Sequence, residues 1–280
     1  MSADFLASMA AGSRERVCAA RRARPEAAVL AGLRGVPSPP PFLRSTGGFD
    51  LIAELKLRSP ALGPLRDAGA EDIPARVTAY ARAGAAAVSV LTEPSRFDGE
   101  LAHLEAAARA LAPLGVPAMR KDFLVDPYQV LEARLAGAGG VLVILRMLPR
   151  PELEALIDAA LGQGLFALLE AFDEADIELA HELVEARLAQ RERLLVGVNC
   201  RDLVTLQVVP GRLESLAARL PAQVARVAES GVVTPEDAAR IAAAGYDLAL
   251  VGSALMTGGD AGALARRMIA AGRSAKAAGG

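Results

Sequence analysis

The sequence predicts a (β/α)₈ barrel, an α/β fold in which eight parallel strands alternate with helices. Three observations predict it. Short apolar runs alternate with Ala-rich amphipathic stretches, the runs number eight, and successive runs recur at about 23 to 36 residues, the length of one βα unit. The 280 residues, 52% of them apolar, also suit a barrel, which typically uses about 250 residues in one domain.

The eight apolar runs are the candidate strands, and the stretches between them are the candidate helices. In chain order the strands are 51–56, 87–92, 117–122, 141–146, 166–170, 194–199, 224–230 and 248–253. The helices include 100–112, 127–136, 151–162 and 234–245, several of which open with Pro or an acid and close in Gly, as helix ends prefer. A doubly wound sheet is the alternative, but it usually carries a GxGxxG turn after its first strand, where this chain has LRSPALG.

We expect the whole chain, 1–280, to be a single domain. The Arg- and Pro-rich opening, 1–47, should form helices packed on a barrel that spans 48–280. The Arg-rich stretch 14–24 is interpreted as a solvated helix face.

Charge and composition favour some partners and exclude others. A net charge of −2 provides no bulk attraction for nucleic acid or for an anionic membrane surface. The longest apolar run, 135–145, has about half of the ~20 residues that a spanning helix needs. Charged residues interrupt the first apolar stretch, so we expect no secretory leader, a cytoplasmic location and reduced thiols at Cys18 and Cys200. The sequence contains neither a His/carboxylate metal cluster nor a phosphate-binding nucleotide loop, so we expect no cofactor and no metal.

Polar residues close nearly every apolar run. They are Lys56, Glu93, Lys121, Arg146, Glu170, Asn199, Glu229 with Ser230, and Ser253. A single polar residue there does no more than end a strand, but in a barrel all these ends share the C-terminal face, where active sites are built. The set as a whole therefore predicts a functional rim.

Lysine is rare in this chain, and two of its three copies close candidate strands. Lys56 and Lys121 are at strand ends and Lys276 is near the C-terminus, whereas Arg supplies the remaining positive charge. Arg stays protonated, but a partly buried Lys can exchange its proton, which favours an acid/base role over simple ion pairing. Glu54 lies two residues before Lys56 and shares its strand face, and Glu170, after an entirely apolar stretch, suits general acid/base work or a buried salt bridge.

The remaining rim residues suit substrate positioning. Asn199 and Arg201 offer a neutral amide and a fixed cation. The turns 229–231 and 252–253 end the seventh and eighth runs, where barrels commonly bind phosphate through backbone amides that Gly leaves accessible.

Seven blocks of sequence, in order, resemble one family. They are IAELKLRSP (52–60), VSVLTE with Phe97, RKDFLVDPYQVLEAR (120–134), LLEAF (168–172), VGVNCRDL (196–203), AESG (228–231) and LVGSALM (250–256). Together they resemble indole-3-glycerol phosphate synthase, the barrel enzyme of tryptophan biosynthesis. The resemblance covers the chain from about residue 5 to its C-terminus.

The resemblance implies ring closure of 1-(2-carboxyphenylamino)-1-deoxyribulose 5-phosphate, with loss of carbon dioxide and water, to indole-3-glycerol phosphate. It implies that Lys121 is the general acid and Glu170 its acid/base partner, and that Glu54 and Asn199 orient these groups. It also implies phosphate contacts by Lys56, Gly231, Gly252 and Ser253, and it places Lys56 near the substrate carboxylate or the reacting centre as a further catalytic residue. The remaining substrate contacts that it implies are Ser59, Pro60, Phe97, Phe123, Leu142, Arg201, Glu229 and Ser230.

The chain departs from the family pattern at several places. Ala61 and Leu62 stand where SPSKG would place a hydroxyl and a cation, Phe172 replaces a frequent His, and Cys200 replaces a frequent Asn. The stretch from Glu170 to Asn199 is also longer, so 181–193 is expected to extend an outer helix.

Two other functions remain open from the sequence. A phosphoribosyl anthranilate isomerase would share the phosphate turns but would place a Cys on the first strand, where this chain has Glu54 and Lys56. A non-catalytic barrel could bind a phosphorylated ligand or a protein partner. We expect a phosphorylated small molecule as substrate, and a monomer or a weak homo-oligomer.

Overall fold

The computed structural model describes residues 5–67, 69–202 and 205–279, and it shows a closed barrel of parallel strands. The strands are β1 Asp50–Leu55, β2 Ala87–Leu91, β3 Ala118–Lys121, β4 Gly140–Ile144, β5 Phe166–Ala171, β6 Leu194–Asn199, β7 Ala225–Glu229 and β8 Leu248–Val251. Each strand pairs with the next in sequence, and β8 pairs with β1 to close the barrel. The predicted (β/α)₈ fold is confirmed. Leu203, the last residue of the 196–203 block, lies outside the described residues.

Helices precede the barrel and alternate with its strands. They are α1 Phe5–Ala23, α2 Glu26–Leu33, α3 Ile73–Arg82, α4 Pro94–Phe97, α5 Leu101–Leu111, α6 Pro127–Leu135, α7 Arg150–Gly162, α8 Glu174–Glu185, α9 Arg212–Ala217, α10 Pro235–Ala243, α11 Ser253–Thr257 and α12 Ala261–Gly279. Three 3₁₀ turns cover Ala112–Leu114, Leu145–Met147 and Leu188–Arg193. A two-residue antiparallel hairpin, Arg58–Ser59 with Gly63–Pro64, follows β1. The four helices named from the sequence are present as α5, α6, α7 and α10.

Local sequence sets where the helices begin. At α10 the Thr234 hydroxyl accepts a hydrogen bond from the Asp237 amide at 3.2 Å, and Asp237 Oδ2 accepts one from the Thr234 amide at 3.0 Å. This reciprocal capping box satisfies two amides that have no partner within the helix. Pro235 occupies the first turn, where its missing N–H costs no helical hydrogen bond.

Strand alternation separates the two layers of the core. On β5, Phe166 and Leu168 belong to the cluster inside the barrel, whereas Ala167 and Leu169 pack against the outer helices. Successive side chains of a strand point to opposite faces, so every second residue enters the barrel. The same alternation directs the next inward residue of β5, Glu170, to the C-terminal mouth.

Residues before β1 pack on the barrel and on one of its outer helices. Leu6 and Met9 of α1 join the interior cluster at the C-terminal mouth, beside Phe123. On α6, the Tyr128 hydroxyl donates hydrogen bonds to the carbonyls of Ala20 and Arg24 at 3.2 and 2.8 Å. These contacts attach the N-terminal helices directly to the barrel.

Several sequence-based boundaries are wrong. The eighth strand ends at Val251 and not at 253, because Gly252 caps the helix that begins at Ser253. The fourth strand ends at Ile144 and not at Arg146, because a 3₁₀ turn begins at Leu145. The stretch 181–193 does not extend an outer helix, since α8 ends at Glu185 and a 3₁₀ turn covers Leu188–Arg193.

Candidate active site

A cavity of about 530 Å³ occupies the C-terminal end of the barrel and is lined by every residue for which the resemblance implies a catalytic, substrate or phosphate contact. Those residues are Glu54, Lys56, Ser59, Pro60, Phe97, Lys121, Phe123, Leu142, Glu170, Asn199, Arg201, Glu229, Ser230, Gly231, Gly252 and Ser253. They come from all eight strands or the segments that follow them. The structure therefore brings these residues together in one cavity.

Lys121 lies between two carboxylates at the centre of this cavity. Its Nζ is 3.5 Å from Glu170 Oε1 and 3.4 Å from Glu229 Oε2. Burial alone would lower the pKa of Lys121, but the charges of Glu170, Glu229 and Glu54 outweigh burial and raise its pKa above the ordinary value. The side chain is therefore held as an ammonium that can donate a proton.

Asn199 fixes the position of the Glu170 carboxylate. Its Nδ2 donates a hydrogen bond to Glu170 Oε1 at 2.9 Å, and its Oδ1 accepts one from the Arg201 amide at 2.9 Å. The Arg201 guanidinium donates to the Leu206 carbonyl at 2.6 Å. The nitrogen and the oxygen of the Asn199 side chain each have a hydrogen-bond partner, which fixes the orientation of this amide. Asn199 thereby holds Glu170 towards Lys121.

Glu229 is the most deeply buried acid of the cavity. Burial and the neighbouring charge of Glu170 raise its pKa well above the ordinary range, and the Lys121 ammonium offsets this only in part. Its Oε1 is buried without a hydrogen-bond partner among the described residues. Gly197 on β6 leaves the space for this oxygen, because a Cβ at that position would overlap it. Burial and Glu170 therefore make Glu229 harder to ionise than an ordinary glutamate.

A second acid and cation pair lies on the opposite side of the cavity. Lys56 Nζ is 2.8 Å from Glu54 Oε1, and both side chains are largely buried. A Cβ at Gly252 would overlap Glu54 Oε1 and lie 3.1 Å from Lys56 Nζ. Glycine at 252 therefore allows the backbone after β8 to approach this ion pair.

The two turns expected to hold phosphate line the same cavity, and the one at Gly252 adjoins that pair. Ser230 and Gly231 have φ of 65° and 72°, a left-handed conformation that a residue with a side chain seldom adopts. Gly252 is the N-terminal cap of α11, whose first backbone amides have no partner within the helix. Both turns border the cavity, so they can present amides to an anion.

Apolar side chains form the wall opposite the ion pairs. The rings of Phe97 and Phe123 have centroids 6.1 Å apart, and Phe5 of α1 packs edge-on against Phe123 at 5.8 Å. Phe5 and Leu6 line the cavity but were not singled out from the sequence. The apolar spacing of α1 shows a buried stripe, but it does not show which surface the stripe covers.

Two residues of the predicted rim do not line the cavity. Glu93 is fully buried and caps α4, accepting hydrogen bonds from the amides of Ser95 and Arg96 at 2.9 and 2.7 Å. Arg146 lies outside the barrel, where it pairs with Asp176 at 2.6 Å. Both residues follow the last residue of their strands, and each is bound by neighbouring groups outside the cavity.

The interpretation of 14–24 as a solvated face fails at one residue. Arg16 Nη2 of α1 is 2.7 Å from Asp122 Oδ1, and its Nη1 is 3.6 Å from Glu93 Oε1. Asp122 also accepts hydrogen bonds from the Thr92 hydroxyl at 2.8 Å and from Arg120 at 3.1 Å. α1 is thus joined to the residue that follows Lys121.

The part of the chain that the structure describes shows neither a metal-binding cluster nor a membrane-spanning helix. No group of three or more His, Cys, Asp or Glu is arranged to hold a metal ion among those residues. No helix of the described ranges is both long and apolar enough for a membrane crossing.

The fold and this site define the class of protein: a (β/α)₈ barrel with ionisable groups and glycine-containing turns at its C-terminal face. The family model described as "Indole-3-glycerol phosphate synthase" matches residues 7–268. The chain belongs to the indole-3-glycerol phosphate synthase family.

Individual relatives agree with that assignment. An indole-3-glycerol phosphate synthase of Parafrankia sp. (strain EAN1pec) is 44% identical over 222 residues, covering 79% of this chain and 78% of the relative. One of Leifsonia xyli subsp. xyli is 40% identical over 260 residues, covering 92% and 95%. Among solved structures, a thiamine phosphate pyrophosphorylase from Pyrococcus furiosus has a TM-score of 0.59 at 13% identity, covering 82% of this chain and 98% of that one. That likeness shows the fold alone.

Proposed function

We propose that this chain is an indole-3-glycerol phosphate synthase that acts in tryptophan biosynthesis. Its substrate would be 1-(2-carboxyphenylamino)-1-deoxyribulose 5-phosphate. The observation that carries the proposal is the position of Lys121 between Glu170 and Glu229, in a chain that belongs to this family throughout residues 7–268. The reaction class is that of a carbon–carbon lyase, more closely a carboxy-lyase.

The chemistry needs a proton donor at the ribulose carbonyl and no external oxidant. A carbon–carbon bond forms between the ring carbon that carries the carboxylate and the ribulose carbonyl carbon, whose oxygen takes a proton. Carbon dioxide then leaves the ring carbon, which restores the aromatic ring. The hydroxyl so formed leaves as water once protonated, and the neighbouring methylene carbon next to nitrogen loses a proton to form the new carbon–carbon double bond. The sum is substrate to indole-3-glycerol phosphate, carbon dioxide and water, so the electrons balance.

We assign the proton donor to Lys121. Its raised pKa keeps the ammonium protonated near neutral pH, and its position inside the cavity points it at a bound substrate. Glu170, fixed by Asn199, would exchange protons with the substrate hydroxyl and with Lys121. Glu54 would hold Lys56 in place.

The substrate's two ends would occupy the two sides of the cavity. The phosphate would lie against Gly231, Gly252, Ser253 and Lys56, where amides and an ammonium favour an anion. The phenyl ring would pack on the apolar wall of Phe97, Phe123, Pro60 and Leu142, with Ser59, Arg201, Glu229 and Ser230 completing the polar rim. The separation of charged and apolar walls matches a substrate that is aromatic at one end and phosphorylated at the other.

Incubation of the purified protein with this substrate, followed by indole fluorescence, tests the proposal. We expect indole product from the wild type. The Lys121→Met variant should lose roughly 10²- to 10⁴-fold in kcat, the usual contribution of a general acid, with a far smaller change in KM. The matched control is Arg82→Met, which removes an exposed cation on the outer helix α3 and should retain wild-type turnover.

Two results would overturn it. Substrate binding without indole product over hours would favour a non-catalytic barrel, and isomerisation of a phosphoribosyl anthranilate would favour the isomerase. Near-normal turnover by a folded Lys121→Met variant would remove Lys121 from the mechanism.

We also propose that the protein works in the cytoplasm as a monomer or a weak homo-oligomer. Cys18 and Cys200 are both free thiols, which suits a reducing compartment. Light scattering coupled to size exclusion measures the mass, and a stable assembly at micromolar concentration would contradict the second part.

A further inference from the structure

A second cavity, of about 520 Å³, lies at the opposite end of the barrel. It is formed where β6, β7 and β8 begin, and the segment before β1 and the C-terminal helix α12 close its sides. We call it the basal cleft. Its charged lining residues are Arg44, Arg191, Glu192, Arg226, Asp247 and Lys276.

One carboxylate of the basal cleft is already used by the fold. Asp247 Oδ1 is 3.0 Å from Arg44 Nη2 and 3.7 Å from Lys276 Nζ. Its Oδ2 accepts a hydrogen bond from the Arg226 amide at 3.0 Å. Asp247 therefore fixes the walls of the cleft, and its charge is matched by two cations.

Two guanidinium groups of the basal cleft, those of Arg191 and Arg226, are not paired with a carboxylate of the described residues. Within the described ranges, no carboxylate lies within ion-pair distance of Arg191 or Arg226, and neither side chain makes a hydrogen bond. The Arg226 guanidinium lies beside Gly245, where a Cβ would be in van der Waals contact with Nη1 at 3.4 Å. Glu192, the second acid of the lining, makes no ion pair with them either, so positive charge predominates in a concave surface.

We propose that the basal cleft is a binding site for a small, multiply charged phosphate compound. Guanidinium groups bind phosphate oxygens through paired hydrogen bonds, and two of them are available in one cavity with Lys276 beside them. The volume of about 520 Å³ is in the range of small-molecule sites. A ligand there would connect the starts of three strands with α12 and would not touch the catalytic face.

The proposal does not depend on the proposed function, and inorganic pyrophosphate is the probe that tests it. Calorimetric titration of the wild type should show two sites, one at the catalytic phosphate turns and one in the basal cleft. The Arg191→Gln/Arg226→Gln variant should keep the first and weaken the second by at least about tenfold, with indole formation unchanged. The Gly252→Ala variant should keep the basal site.

A matched control removes two charges elsewhere. The Arg22→Gln/Arg82→Gln variant loses two exposed arginines that lie outside both cavities, and it should titrate like the wild type. Equal loss in this control would mean that only overall charge matters. Retention of both sites in the Arg191→Gln/Arg226→Gln variant, or no remaining site in Gly252→Ala, would overturn the proposal.

Discussion

The buried acid Glu229 should make the stability of the protein depend on pH. Its pKa is raised by burial, so the folded protein keeps this proton over a pH range in which an unfolded chain, with an ordinary glutamate pKa of about 4.3, releases it. The stabilisation of the folded state by this bound proton is complete below the unfolded-state pKa of about 4.3, and it is lost as pH rises through the folded-state pKa. The side chain in Glu229→Gln cannot titrate, so this variant does not lose stability in the way that the wild type does as pH rises. The Tm of the variant minus the Tm of the wild type should therefore increase between pH 5 and pH 8.

Thermal melts at pH 5, 6, 7 and 8 measure this difference. Glu185→Gln is the control, since Glu185 is exposed at the end of α8 and should give a constant offset. A constant offset for Glu229→Gln as well would show that the folded-state pKa of Glu229 is ordinary.

Gly252 should be sensitive to a single methyl group. In Gly252→Ala the new Cβ would overlap Glu54 Oε1 and crowd Lys56 Nζ, so the ion pair must shift away from the phosphate turn. Losing one or two hydrogen bonds to the anion costs about 1–3 kcal/mol, or roughly 5- to 150-fold in the inhibition constant of inorganic phosphate. Gly162→Ala, on α7 with no atom within 4 Å of its Cβ position, is the matched control. Unchanged phosphate inhibition in folded Gly252→Ala would contradict the assignment of this turn.

At the scale of elements, α1 should support the strand that carries Lys121. Arg16 of α1 binds Asp122, whose side chain is fully buried. Arg16→Met keeps the aliphatic contacts but removes one charged partner from a carboxylate that retains Arg120 and Thr92, which should cost about 1–3 kcal/mol. We expect a lower Tm and a lower kcat, because Asp122 follows Lys121 directly.

Arg22→Met is the comparison for this variant. Arg22 is exposed on the same helix, and no carboxylate of the described residues lies within ion-pair distance of it. Equal Tm and kcat for the two variants would show that the link between α1 and β3 has no energetic importance.

At the scale of the whole molecule, we propose that residues 1–47 and the barrel form one domain. Tyr128→Phe removes the hydroxyl that joins α6 to the carbonyls of Ala20 and Arg24. The loss should cost about 1 kcal/mol and lower the single calorimetric transition by about 2–4 °C. A separate early transition that moves while the main peak stays in place would contradict one cooperative unit.

The sequence by itself determined the order and type of the elements and which strand residues face inward. Alternation along β1 runs from Ile52 through Glu54 to Lys56, so local periodicity alone places two rim groups. Local periodicity misplaced Arg146 at the end of the fourth strand, because the apolar run continues past Ile144 although the strand stops there.

Only the tertiary structure decided which of those groups meet. Lys121 and Glu229 are 108 residues apart and lie 3.4 Å from one another because the barrel closes and brings β3 opposite β7. The raised pKa of Glu229 likewise depends on burial by several elements at once. Arg16 looked like a surface charge, since a helix face is solvated or buried according to what packs against it. Local periodicity carries no information about contacts between distant segments, and these contacts set the charges of the site.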